Sequence, residues 1–376
     1  MDMALARVIF VHVHGLRDTC TKITRAMIGA MPLSLKRLLL PSVLALTLML
    51  VPARMVFAGG VHAHSAQADC QGRDTLSTAT TAIESAPRKV DGYLCRAQVY
   101  LSANDFAQAI ADYTQAIRFS PRNAFAYRQR GALYFSIGQT AQALADFSRA
   151  IRWAPREPAA YLSRATLYFL QKQYVLSARD ASRVIRLDKA NAEAYRVRGL
   201  AYREQDRYDD ALADFTHSLQ LNPAQSLAYA NRARLYALRS QFDLSITDWD
   251  AAISLNPNET DYYAYRGQAH AELKHYAAAI ADLTQVIARK PPAMDAVRLR
   301  GEMYAFNDQY ALAIADLSRY IGIGSGDVYA YFVRGYAHSR LGHRDQAISD
   351  LKLVLSLTGD PDLKQRVQEE LSRLGS

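Results

Sequence analysis

The chain is 376 residues long, half of them hydrophobic, with a formal charge of +9 and three cysteines. That apolar content supports an extended core, and three cysteines are too few for a disulfide-held scaffold. Of the excess charge, +5 sits in residues 1–58, and the +4 spread over the rest is too dilute for a nucleic-acid surface.

Residues 1–30 show neither a strong apolar run nor an internal pattern. From Met31 the chain reads as an export leader: MPLSLKR is a short basic head, LLLPSVLALTLMLV an apolar run, and PARMVFA ends in small residues. Val56 and Ala58 fit the small-residue rule for cleavage after Ala58. Residues 31–58 are therefore the expected signal peptide, residues 1–30 a candidate over-called start, and the protein is expected to be exported to the periplasm. The alternative is an uncleaved anchor over residues 38–53, facing the periplasm from the inner membrane. That stretch is about 16 residues, short of the ~20 a spanning helix needs, and Arg54 follows it. Membrane attachment is expected only on this alternative.

Residues 59–72 (GGVHAHSAQADCQG) form a short flexible lead-in. His62 and His64 make a His-x-His, as do His12 and His14, but two ligands do not make a tetrahedral zinc site, so no metal is expected. Cleavage removes Cys20 and leaves Cys70 and Cys95, which in an oxidising compartment are candidate disulfide partners and otherwise two free thiols. Residues 73–89 hold one helix, roughly 73–85. Its Ala79, Ala82, Ile83 and Pro87 occupy the places that Phe147, Ala150, Ile151 and Pro155 hold two blocks later, as in half a repeat.

From residue 90 to residue 361 a 34-residue block recurs eight times, as 90–123, 124–157, 158–191, 192–225, 226–259, 260–293, 294–327 and 328–361. Its fourth place holds Tyr93, Tyr127, Tyr161, Tyr195, Tyr229, Tyr263, then Val297, then Tyr331. Its seventh is always arginine: Arg96, Arg130, Arg164, Arg198, Arg232, Arg266, Arg300 and Arg334. The next place is always Gly or Ala, and the twenty-third always aspartate: Asp112, Asp146, Asp180, Asp214, Asp248, Asp282, Asp316 and Asp350. Each block predicts two helices. In the second block, Tyr127, Gly131 and Tyr134 share one face over 124–137, Gly138 breaks the helix, and 142–153 forms the next, stopped by Pro155.

The pattern of aromatic, Gly/Ala, Tyr, Ala, aromatic, Ala and Pro resembles the tetratricopeptide repeat, here in an exported "Arg-Gly" subtype with arginine where the family usually has leucine. The resemblance implies an all-α fold, a right-handed superhelical α-solenoid of eight repeats. An N-terminal half-repeat helix over 73–89 and a C-terminal capping helix over 362–376 complete it. It also implies docking rather than catalysis, with first helices lining a concave groove through their second, fifth, ninth, twelfth and thirteenth places.

Departures from the pattern carry expectations of their own. Lys189 stands where the third repeat's proline belongs, so its second helix is expected to run on. In the seventh repeat Val297 replaces the tyrosine, Tyr320 a small residue, and Gly322, Gly324 and Gly326 predict a looser joint, at about 1 kcal/mol of helix propensity each. His270 and His338 replace the second tyrosine of their repeats and read as packing substitutions. After Asp360-Pro361 a helix with Leu363, Val367, Leu371 and Leu374 on one face predicts the solubilising cap.

Eight arginines and eight aspartates at fixed places predict an internal ionic ladder, which fixes register between near-identical repeats rather than adding stability outright. The groove places hold Leu94, Leu101, Phe125, Arg128, Phe135, Leu162, Phe169 and Leu170 in the first three repeats. They turn charged in the rest, with Glu193, Arg196, Arg203, Glu204, Arg234, Asp261, Glu272, Asp295, Arg298, Glu302 and Arg340. Partner binding is expected at Leu101, Phe125, Arg128, Phe135, Leu162, Phe169, Arg203 and Arg234, with Phe135 and Phe169 as apolar anchors. The Lys and Asn pair by which the chaperone-binding subfamily clamps a C-terminal carboxylate is absent, those places reading Leu94/Gln98 and Arg128/Ala132.

No phosphate loop, nucleophile elbow or metal-ligand cluster stands in the chain, so neither enzymatic activity nor a cofactor is expected. Three readings stay open: an envelope scaffold for a partner protein or peptide, a groove for an extended polymer such as a glycan or secreted peptide, and a membrane-anchored assembly factor.

Overall fold

The computed structural model describes Cys70, residues 75–324 and residues 326–376. The expected leader and its cleavage site, the 38–53 anchor alternative, the His-x-His pairs and nearly all of the lead-in lie outside the described residues. The described chain is helical with no strand. It runs α1 (Leu76–Ser85), α2 (Val90–Ser102), α3 (Phe106–Phe119), α4 (Ala124–Ser136), α5 (Thr140–Trp153), α6 (Pro158–Leu170), α7 (Tyr174–Leu187), α8 (Ala192–Arg203) and α9 (Tyr208–Leu221). It continues α10 (Ser226–Leu238), α11 (Phe242–Leu255), α12 (Thr260–Glu272), α13 (Tyr276–Arg289), α14 (Met294–Phe306), α15 (Tyr310–Ile321), α16 (Val328–Arg340), α17 (Arg344–Leu357) and α18 (Pro361–Arg373). The described chain divides into two compact units, one ending at Trp153 and one beginning at Ala154.

Within each unit the hairpins are held by small residues set against large ones. In the first, Tyr113 and Ala109 of α3 pack among Leu94 and Ala97 of α2 and Ala126 and Leu133 of α4. Gly131 on α4 is the close approach: a Cβ there would meet the Phe147 ring of α5 at 2.9 Å. In the second, Gly199 does the same against Phe215 at 3.0 Å. Trp249, 1% exposed, fills the space among Ala230, Ala233, Ala252 and Tyr262. Each such buried ring is worth roughly 2–3 kcal/mol of transfer free energy, which is why the eighth place stays small.

The helix-to-helix turn is the same in all eight repeats. The backbone N–H of the sixteenth place donates to the carbonyl of the eleventh, as from Gln139 to Tyr134 (2.7 Å) and from Gln173 to Tyr168 (2.8 Å). This bond is the mark of a Schellman ending, which puts the fifteenth residue in the left-handed region. Gly138 and Gly342 supply it without strain, but Asn104, Lys172, Asp206, Ser240, Lys274 and Asp308 adopt φ of 57–61° there as well. The glycine expected to break the helix is thus dispensable, because the hydrogen bonds impose the turn.

Second helices begin two residues earlier than the sequence suggests, α5 at Thr140 rather than 142. The expectation that the third repeat's second helix runs on is corrected: α7 ends at Leu187, like its counterparts. Asp188 turns extended, its carboxylate accepts the Ala190 N–H (3.0 Å), and the Asn191 side chain caps α8 by accepting from Ala194 N–H. Acidic and amide caps do there what proline does elsewhere. In the seventh repeat α15 is 12 residues long against 14 in α13, and Gly324 and Gly326 take positive φ. The last helix is capped by Asp360 with Pro361 in its first turn and buries Leu363, Val367 and Leu371.

Candidate functional site

Each seventh-place arginine meets its aspartate through two parallel bonds, Nε to Oδ2 and Nη2 to Oδ1, at 2.6–3.2 Å in all eight repeats. The aspartates are 1–8% exposed. The sixteen-residue step from first to second helix places the two groups opposite each other, and the planar fork matches the carboxylate. The spacing does not disclose what the remaining nitrogen does. Nη1 donates across to the preceding repeat: Arg130 to Thr114 (3.0 Å), Arg198 to Ser182 (3.2 Å), Arg232 to Thr216 (3.2 Å), Arg300 to Thr284 (3.1 Å) and Arg334 to Ser318 (3.2 Å). Arg266 instead meets the Asp250 carboxylate at 2.6 Å. The recurrence of Ser, Thr or Asp at the twenty-fifth place was the available signal.

Tyrosines complete the setting. The Arg130 guanidinium lies 5.8 Å from the Tyr127 ring and 5.6 Å from Tyr134; Arg198 lies 5.5 Å from Tyr195 and 5.7 Å from Tyr202. The bond to Asp214 holds the Arg198 guanidinium above the usual arginine range, outweighing burial. The ladder's donors are spent on the scaffold.

The first-helix wall is a different surface. In the first unit Leu101 and Phe125 are half-buried and lean on the core, Arg128 lies over the Phe125 ring at 5.4 Å, and Phe135 is half-buried. In the second unit Leu162 leans on Ala165, Ala181 and Val197, and Phe169 faces Tyr174 at 5.5 Å between ring centres. The two phenylalanines fall in different units. Three groove assignments are corrected, since Leu94 (1% exposed), Arg196 (8%) and Glu302 (6%) are buried.

The charges on the second unit's wall are mostly matched. Arg196 pairs with Glu193, Arg203 bonds Glu204 and the Asn231 side-chain oxygen, and Asp261 lies 3.8 Å from the Lys290 ammonium. Arg298 pairs with Glu302 and approaches Asp327 at 3.7 Å. Burial pushes the Glu302 carboxyl up to about 7 against the pull of Arg298. Arg234 differs. Its guanidinium stacks on the Tyr265 ring at 4.4 Å, Tyr265 stacks in turn on Trp249 (5.3 Å, 11° between planes), and its buried Nε has no hydrogen-bond partner.

His270 lies against His275 (5.7 Å between rings) and His338 against His343, with Nδ1 atoms 3.2 Å apart. Burial lowers the pKa of both His270 and His338. His338 also borders an open cleft of about 450 Å³ with Arg334, Asp345 and Asp350. Among the described residues no group of three or more His, Cys, Asp or Glu is placed to hold a metal, and no helix is long and apolar enough to cross a membrane. Cys70 and Cys95 are joined by a disulfide, with Cα atoms 5.5 Å apart.

Stacked antiparallel helix pairs with a shared internal ladder define a helical-hairpin repeat protein. Models of the tetratricopeptide repeat match residues 97–138, 128–192, 192–225, 266–328 and 328–361, together more than half of the sequence. The chain belongs to the tetratricopeptide-repeat family. No curated protein matches it. Among solved structures it is similar to a tetratricopeptide repeat protein from Parabacteroides merdae (20% identity, 66% of this chain and 98% of the other, TM-score 0.47). It is also similar to YrrB, described as a TPR protein with an unusual peptide-binding site (23% identity, 49% and 95%, TM-score 0.43). MamA from Desulfovibrio magneticus RS-1 is another similar structure (16% identity, 45% and 96%, TM-score 0.42).

Proposed function

We propose that the protein is an exported, non-catalytic docking scaffold that holds a partner protein or peptide on its wall of first helices. One observation carries this reading: recurring side chains and varying ones do separate work. The arginines, aspartates and tyrosines that repeat are bonded to one another inside the scaffold. The side chains that change from repeat to repeat, among them Phe125, Arg128, Phe135, Leu162, Phe169, Arg203 and Arg234, sit half-buried on the first helices. Half-buried aromatics and arginines are what interface hot spots are made of. The Cys70–Cys95 disulfide supports export, since such bonds persist in oxidising compartments.

A photo-crosslinking residue placed at Phe135 or Phe169 is expected to capture a discrete partner, whereas one at the exposed second-helix residues Leu244 or Leu312 is not. Equal capture from both faces refutes the wall. With the partner in hand, Phe135→Ser and Phe169→Ser together are expected to weaken binding by at least about 2 kcal/mol, a usual hot-spot cost, with little change in thermal unfolding. For export, N-terminal sequencing is expected to begin near Gly59. A chain retained in membranes and still starting before Leu38 overturns it.

A further inference from the structure

We infer that Arg234 is the anchor for a carboxylate of an acidic, extended peptide, with Tyr265 and Leu238 as the apolar shelf beside it. The inference rests on the docking reading above and names the chemistry of what docks. Arg234 projects from α10 one turn before Leu238, on the same face, and Leu238 is 56% exposed. Tyr265, from the next first helix α12, is 36% exposed and carries the guanidinium on its ring. Behind it Trp249 closes the stack.

Three features single out this place. The wall charges near it in sequence (Arg196, Arg203 and Asp261) each have an opposite charge at hand, while Arg234 has no ion pair among the described residues and its Nε no hydrogen bond there. A buried polar atom, Nε of Arg234, is left unpartnered among the described residues. Buried polar groups are ordinarily satisfied, and unsatisfied ones are found where a ligand or strain explains them. Finally, stacking fixes the plane of the guanidinium before anything binds, so little side-chain entropy remains to be lost. The Arg234 side chain is itself only half-buried. A fork with one positive charge suits one carboxylate, whereas a phosphate dianion would need more cation than the site offers, with Arg203 already held by Glu204. The exposed Leu238 and Tyr265 ask for an apolar residue next to the acid.

The chain has two tryptophans, so Trp153→Phe leaves Trp249 as the sole emitter, directly behind the site. The full-length Trp153→Phe protein is titrated with a decapeptide of alternating leucine and glutamate, and with its glutamine, C-terminally amidated counterpart. The acidic peptide is expected to bind about tenfold tighter at low salt and to perturb Trp249 emission, with the preference fading as salt is raised. Arg234→Gln is expected to abolish the preference, and Arg234→Lys, which keeps the charge without the planar stack, to retain only part of it. Arg340→Gln is the control and is expected to retain it, because Arg340 has the same kind of stack on Tyr336 (4.7 Å) but already feels Glu370. Equal binding of the two peptides overturns the carboxylate anchor and leaves the docking wall standing. Binding of neither overturns both. Displacement of the acidic peptide by millimolar inorganic phosphate reassigns the site to phosphate, and a preference that survives Arg234→Gln in folded protein places the anion elsewhere.

Discussion

Arg198 joins four side chains at once: Asp214 through a fork, Ser182 of the preceding repeat, and the rings of Tyr195 and Tyr202. Its side chain is 20% exposed and that of Asp214 6%, so removing one partner strands a desolvated charge. Arg198→Ala is expected to destabilise by about 3 kcal/mol in urea unfolding. Arg198→Met with Asp214→Leu is expected to cost less than the single change, because the desolvation penalty disappears with the pair. Silent single substitutions would mean the ladder is solvated in practice. Glu302 gives a second test at this scale. Its carboxyl is raised from an ordinary value of 4.5 to about 7 by burial. Between those two pH values the unfolded chain gives up the proton and the folded one keeps it, so native stability falls as pH rises through this window and levels off above it. The loss amounts to about 3 kcal/mol relative to Glu302→Gln. Half-buried His270 and His338, lowered from 6.5, act with the opposite sign, losing stability as pH falls below that value. Comparing parent and Glu302→Gln at each pH cancels them. A difference that stays constant from pH 4.5 to 8 would show that Glu302 is solvated.

At the scale of the element, the helix-to-helix turn is a position where backbone geometry overrules residue choice. Lys172 at φ 59° and Gly138 at φ 78° make the same turn with the same pair of hydrogen bonds. A Cβ at Gly138 would meet nothing within 4 Å, so its cost is conformational alone. Gly138→Ala is expected to lower stability by about 1 kcal/mol, and Lys172→Gly to raise it by up to about 0.5 kcal/mol, the steric relief being partly offset by the freer unfolded chain. Both are read from urea midpoints. The same sign for the two would mean that the turn relaxes around its side chain.

For the molecule as a whole, what needs explaining is how an array closes its ends. Helix α1 has a single fully buried residue, Ala79, and lies so close to α2 that a Cβ on Gly92 would meet Ile83 at 2.8 Å. Ten residues with so little burial do not hold by packing alone. The Cys70–Cys95 bridge, spanning 25 residues, ties the segment down. Cys70→Ser with Cys95→Ser is expected to cost the first unit about 3 kcal/mol. Amides of α1 should then exchange faster while those of α10–α13 keep their protection. Unchanged exchange in α1 would make the bridge dispensable. At the other end α18 needs no such tie, because it buries Leu363, Val367 and Leu371 and its Glu370 accepts from Ser339 of α16.

The sequence alone determined the period, the two helices in each repeat and the facing of every arginine on its aspartate. These are rules of local spacing, repeated, and a repeat packs chiefly against its neighbours. Tertiary structure decided what depends on the distance between helices that are not adjacent in the chain. It buried Leu94, Arg196 and Glu302 at places that spacing assigns to an open wall, while leaving Leu238 and Tyr265 exposed. It sent the third arginine nitrogen to the preceding repeat and stopped α7 at Leu187 without a proline. It also set Arg234 on Tyr265 and Trp249, because that stack requires two first helices and a second helix to converge to ring-contact distance, which no one-dimensional pattern encodes.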